Sequence, residues 1–135
     1  MSRTKKRKVF ECIEYLSVEA PLNKVDYLED KQSKYIREYV RNKEYMIVGT
    51  ERRHGFSQGD VNRQWAKIVE MIRRGKVQGI VVANMAAVAA DVPDAFYKVG
   101  QVIEAGGIVV SVDDGLLTLK IGGFEDGCCK EEKNI

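Results

Sequence analysis
The chain has 135 residues, 44% of them hydrophobic and 31% charged, which is the length and composition of one globular domain with a single core. No apolar run nears the ~18 residues of a membrane span. No charged start, apolar stretch and small-residue cleavage site open the chain, so a cytoplasmic location without membrane contact is expected. Three cysteines, two of them the vicinal Cys128 and Cys129, do not make a disulfide framework, and His54 is the only histidine. With no second Cys pair and no His cluster, no metal site is expected.

Residues 1–8 form a basic arm through Arg3, Lys5, Lys6, Arg7 and Lys8. Such an arm is either a solvated terminus or a segment that neutralises DNA phosphates by counterion release. The net charge of +2 adds little in favour of nucleic acid. From Val9 to Tyr15 apolar and polar residues alternate, a first strand. Leu28, Tyr35, Ile36, Tyr39 and Val40 then recur at helical spacing, which predicts a helix with one buried face. The stretch from Glu44 to Thr50 is apolar and partly β-branched, a second strand, and Glu51 to Gly59 lacks any period and reads as a mobile surface loop.

Val61, Trp65, Ile68, Val69 and Ile72 follow the helical period up to a stop at Gly75. The continuous run Gly79 to Ala83 predicts a strand buried on both faces. A third helix is expected from Val92 to Ala105, a fourth strand from Ile108 to Val112, a tight turn at Asp113-Asp114-Gly115, and a last strand from Leu116 to Ile121. The alanines between Met85 and Ala90 are good helix formers and are expected to begin the third helix. From 122 to 135 a loose tail is expected. The domain reading is therefore arm 1–8, fold 9–121 and tail 122–135. The class is α/β, a mostly parallel sheet of four or five strands covered by helices on both faces. Ligands of such sheets sit at the carboxyl ends of the strands, here Ser17, the Thr50–Gly59 loop, the Ala83–Ala90 segment and the Asp113-Asp114 turn.

The order of these features has a counterpart. Ser17 follows strand one, and a helix with Leu28, Gln32, Ile36 and Tyr39 comes next. A Gly55–Gly59 loop and the junction Ile72-Arg73-Arg74-Gly75-Lys76-Val77 lead into strand three, and Ser111-Val112-Asp113-Asp114-Gly115 closes the series. Over residues 9–118 this succession resembles the catalytic domain of serine recombinases, the resolvase and invertase family. The resemblance implies a flavodoxin-like layered fold, action on DNA, Ser17 at the position of the nucleophile, and no cofactor.

Against the family pattern Tyr-x-Arg-x-Ser the sequence has Ile13-Glu14-Tyr15-Leu16-Ser17, so Tyr15 replaces an arginine. Against Asp-Arg-Leu-x-Arg it has Ala86-Ala87-Val88-Ala89-Ala90, so Ala86, Ala87 and Ala90 replace three charged residues. An arginine of the family at the start of helix two matches Arg63, or Asn62 one position off. Attack on a phosphodiester builds negative charge that fixed guanidinium groups stabilise, and losing one such donor typically costs ~3–4 kcal/mol of barrier. Arg52 and Arg53 remain as phosphate-binding candidates. The expectation is a recombinase-like domain without catalysis, in which Ser17 is a turn or cap residue, acting through another recombinase subunit or another protein, or through weak non-specific DNA contact. Two alternatives stand beside it: an active strand-cleaving recombinase using Ser17, and a module binding a small anion in the Gly55–Gly59 loop. That loop lacks the glycine spacing of a dinucleotide or P-loop site. Family members continue past the Asp113–Gly115 turn into a long helix for dimerisation and DNA contact. Gly122, Gly123 and Gly127 would break such a helix, so independent site-specific DNA binding is not expected and the oligomeric state stays open.

Overall fold
In the computed structural model the described residues are 9–120 and 123–125, and they alternate strand and helix: β1 Phe10–Leu16, α1 Leu22–Val40, β2 Tyr45–Arg52, α2 Gln58–Arg73, β3 Gly79–Val82, α3 Val92–Glu104, β4 Ile108–Ser111, β5 Gly115–Lys120 and β6 Gly123–Glu125. The basic arm and the Cys128-Cys129 pair lie outside the described residues. The helices end where local chemistry ends them. Ser57 and Asp60 form a reciprocal capping box at the start of α2, and Gly75, at φ 79°, follows its last turn. Asp91 caps α3 by accepting from the Asp94 amide at 2.9 Å, and Gly106, at φ 96°, stops it. For α1 the last turn is followed by Asn42 at φ 66°.

The strands form one sheet in the order β2-β1-β3-β4-β5-β6, with the first four parallel and the last two antiparallel. This is the expected α/β class, with a sixth strand where the sequence reading placed a tail; Gly123–Glu125 pairs with β5. One face of the sheet packs Ile13, Tyr15, Ile80, Val82 and Val109 against Val61, Trp65, Ile68 and Ile72 of α2 and Val99 and Val102 of α3. The other packs Cys12, Leu16, Val81 and Val110 against Ile36 and Val40 of α1. At Gly79 a Cβ would meet the Ile108 carbonyl oxygen at 2.7 Å, so the start of β3 must be glycine for β4 to lie this close.

Between Cys12 and Ile13 the β1–β2 register slips by one residue: Cys12 pairs with Ile47 but Ile13 with Gly49. The extra residue, Val48, is a bulge. Beyond it Thr50 and Arg52 lie opposite Glu14 and Leu16, on the α1 side of the sheet.

Three expectations are corrected. The alanines do not begin the third helix. Met85–Ala87 is a separate 3₁₀ turn, because Asn84 caps it by accepting from the Ala87 amide at 3.0 Å and Asp91 starts α3 afresh. The loop expected over Glu51–Gly59 shrinks to residues 53–57, since Glu51 and Arg52 extend β2 and Gln58 opens α2. It is also pinned: the Arg53 amide donates to the Leu16 carbonyl at 2.8 Å, and Phe56 to Arg53 at 2.9 Å. Tyr35 is half exposed, and its hydroxyl donates to Asp113 at 2.5 Å across the top of the sheet.

Candidate functional site
Ser17 follows the last residue of β1, at the carboxyl end of the parallel strands, where crossovers on opposite faces leave a crevice. It is buried, and all its polar groups are engaged. Its amide donates to Gln32 Oε1 at 2.7 Å, and Gln32 Nε2 donates back to the Ser17 carbonyl at 3.0 Å. Its hydroxyl donates to the Ala87 carbonyl at 2.5 Å. Arg53 Nη1 lies 3.5 Å from the same Oγ while Arg53 Nε donates to the Phe56 carbonyl at 2.6 Å. Ser17 thus joins β1, α1, the 3₁₀ turn and the β2–α2 loop.

A cleft of about 470 Å³ opens beside it, with Gln32, Arg53, Gln58 and Asn84 as polar walls and Ala86, Ala87, Ala89 and Ala90 as floor. Arg53 is the one cation among the described residues lining it, and Glu19 the one acid. Gln58 donates to the Val88 carbonyl at 2.9 Å, which ties α2 to the alanine segment. A more apolar groove of about 340 Å³ continues over Met85, Ala89, Val92 and Ala95.

The expected site residues divide sharply. Ser17, Arg53, Ala86, Ala87 and Ala90 come together in the cleft. Arg52 does not: one strand position earlier it faces α1, where it donates to Asp30 at 2.7 Å and meets the buried Glu29 at 3.5 Å. Arg63 points to solvent with 75% of its side chain exposed and pairs with Asp60. Hydrogen bonds from Ser57 and then from Arg63 hold the Asp60 carboxyl below the usual aspartate range. Asn62, the alternative, accepts from the buried Lys98 at 2.7 Å. Tyr15 is in the core, its ring edge-on to Trp65 at 6.5 Å and its hydroxyl bonded to Gln64. Burial pushes that phenol's pKa up. Three backbone amides of the Gly55–Gly59 region and its flank are already spent, His54 on Glu29, Phe56 on Arg53 and Ser57 on Asp60, which leaves little of an anion cradle there.

Gln32, Gln58 and Asn84 were not foreseen as site residues. Gln32 had a signal, a polar side chain on the Leu28–Ile36 stripe of a helix, where only a buried partner makes it tolerable. Gln58 and Asn84 had none, since both look like ordinary residues at element ends.

No protein-family profile matches the sequence, and no curated protein aligns with it. Solved structures do match. A resolvase family site-specific recombinase from Streptococcus pneumoniae superposes with a TM-score of 0.65 at 20% identity, covering 78% of this chain and 74% of that one. The N-terminal catalytic domain of TP901-1 integrase gives 0.63 at 15% identity, over 78% of each chain. The C-terminal catalytic domain of ISC1926 TnpA, an IS607-like serine recombinase, gives 0.59 at 16% identity, over 76% and 67%. The fold is that of a serine recombinase catalytic domain. In this chain Ser17 follows the end of β1 beside the cleft, Tyr15 lies in the core, and Ala86, Ala87 and Ala90 line the cleft. Among the described residues no helix is long and apolar enough to cross a membrane.

Proposed function
We propose that this serine recombinase-like domain is a scaffold without strand-cleavage activity, which works through contacts with another protein, a recombinase subunit included, or through weak non-specific contact with DNA. One observation carries the reading. The Ser17 hydroxyl is spent on the Ala87 carbonyl and faces one guanidinium, at 3.5 Å, across a floor of alanines. A carbonyl oxygen is no base at neutral pH, so no group bonded to the Ser17 hydroxyl among the described residues takes its proton, and a single guanidinium does not match the charge that a phosphoryl transition state builds. Incubation with supercoiled plasmid is expected to give no covalent protein–DNA adduct. An adduct that forms with the wild type and disappears in Ser17→Ala would overturn the proposal. For the contact part, a gel shift against salt and capture of partners by the purified domain are the tests; neither DNA nor any specific protein being retained would remove it.

The second reading is an active recombinase in which Arg53 replaces the lost arginines, and the 3.5 Å approach of its Nη1 to Ser17 favours it. It predicts an adduct that Arg53→Ala abolishes as completely as Ser17→Ala. With no adduct from the wild type, that reading fails.

A further inference from the structure
The lone histidine sits outside the cleft, in company. His54 Nδ1 is 2.8 Å from Asp26 Oδ1, and a carboxylate oxygen of Glu29 completes a set of three ligand atoms that lie within 4.8 Å of one another. The ligands come from two elements, Asp26 and Glu29 from adjacent turns of α1 and His54 from the β2–α2 loop. Their exposure differs in a useful way. Glu29 is fully buried, whereas the side chains of Asp26 and His54 are 69% and 54% exposed, so the set has one fixed ligand at its base and an open mouth.

The imidazole is also held in position. Its backbone is in the left-handed region at φ 54°, the His54 amide donates to Glu29 Oε2 at 2.8 Å, and the ring stands edge-on to Phe56 at 6.0 Å. The charge around it is unbalanced. Among the ion pairs of the described residues, Glu29 and Asp30 share the single guanidinium of Arg52, which is bound more closely to Asp30, at 2.7 Å, than to Glu29, at 3.5 Å, and Asp26 pairs with His54. Carboxylates thus outnumber guanidinium groups beside an imidazole nitrogen, a donor set with net negative charge that suits a divalent cation.

We infer that Asp26, Glu29 and His54 form a binding site for a borderline divalent ion of the zinc type. One nitrogen and two carboxylate oxygens suit zinc or cobalt better than calcium or magnesium, which take oxygen ligands alone. Tetrahedral zinc at about 2.0–2.2 Å from each ligand sets those ligands about 3.3–3.6 Å apart, so the widest separation has to close by roughly an ångström and the Asp26–His54 pair to open by roughly half of one, with solvent filling the fourth position. The ion takes over the contact that Asp26 now makes with His54. It also links α1 to residues 53–57, the segment from which Arg53 reaches Ser17. This inference is independent of whether Ser17 cleaves DNA.

The test uses the full chain, free of any affinity tag, with Cys128→Ser and Cys129→Ser removing the competing thiols, and zinc ion alone as the probe. Calorimetry is expected to give one zinc per chain, and His54→Asn and Asp26→Asn each to weaken it by more than about tenfold. Asparagine is chosen at 54 because it tolerates the left-handed backbone. Since there is a single imidazole to observe, its NMR resonances should move in step with the binding heat. Absence of binding heat with zinc in excess overturns the inference. So does zinc that binds equally well to both variants, or that binds without moving the imidazole resonances.

Discussion

Tyr15 and Ala90, two of the positions set against arginines in the family pattern, sit in opposite environments. Ala90 is exposed at the rim of the cleft, and a long cationic side chain there would reach water, so Ala90→Arg is expected to change stability by no more than about 0.5 kcal/mol. Tyr15 is wedged between Trp65 and Gln64 with its ring in the core. Tyr15→Arg would bury a charge against the Trp65 ring and is expected to cost about 3–4 kcal/mol, read as the shift in a urea unfolding curve. A cation can thus be placed in the floor by substitution, but not in strand one without repacking. At Asp113 the residue scale also sets a pH dependence. The Tyr35 hydroxyl, and after it Asn84, hold this carboxyl below its ordinary value. Its folded pKa is therefore below the unfolded one near 3.9, so its contribution is complete above that value and drains away as pH falls through the folded pKa. Tyr35→Phe should accordingly lower stability at pH 7 and converge with the wild type on acidification. Equal offsets at both pH values would show that Tyr35 contributes only by packing.

At the scale of elements, the helices were legible and the polar interior was not. Val61, Trp65, Ile68, Val69 and Ile72 of α2 are all buried, because a stripe of five apolar side chains has one way to face a sheet. Glu14 and Glu29 are buried as well, and nothing local announces it. Glu14 is accepted into the interior only because Thr50 donates to it at 2.7 Å, Arg37 at 2.9 Å and Ser33 at 2.9 Å, partners supplied by β2 and α1. The fate of Arg52 and Arg53 was equally hidden. Which of two adjacent arginines faces the cleft depends on strand parity, and the bulge at Val48 resets that parity in a way no periodicity reveals. A deletion follows from it. Removing Val48 leaves Cys12 opposite Ile47 and Ile13 opposite Gly49, so a chain one residue shorter keeps its pairing and gains a regular ladder. It should fold with a midpoint close to that of the wild type, whereas most single deletions inside a strand reverse every side chain beyond them. Loss of the native circular dichroism spectrum in this variant would show that the bulge itself is required.

As a whole, the molecule has two unequal sides. α2 and α3 bury the larger apolar cluster, around Trp65, with the buried Lys98 paired to Asp94 of its own helix, while α1 presents Val25, Ile36 and Val40 with a carboxylate, Glu29, among them. Apolar burial is paid back in every opening by its full area, whereas ion pairs and hydrogen bonds are largely replaced by water once a helix lifts. Native-state hydrogen exchange is therefore expected to show the amides of α1 opening at a lower free energy than those of α2 and β3. A single common opening energy would contradict this. The position of Ser17 then acquires a mechanical meaning. Its amide and carbonyl are clamped by Gln32 of the weaker side, and its hydroxyl by Ala87 of the stronger. The residue lies on the seam between these two sides, so if α1 opens first, whatever pulls it away from the sheet unlatches the cleft before it unfolds the protein.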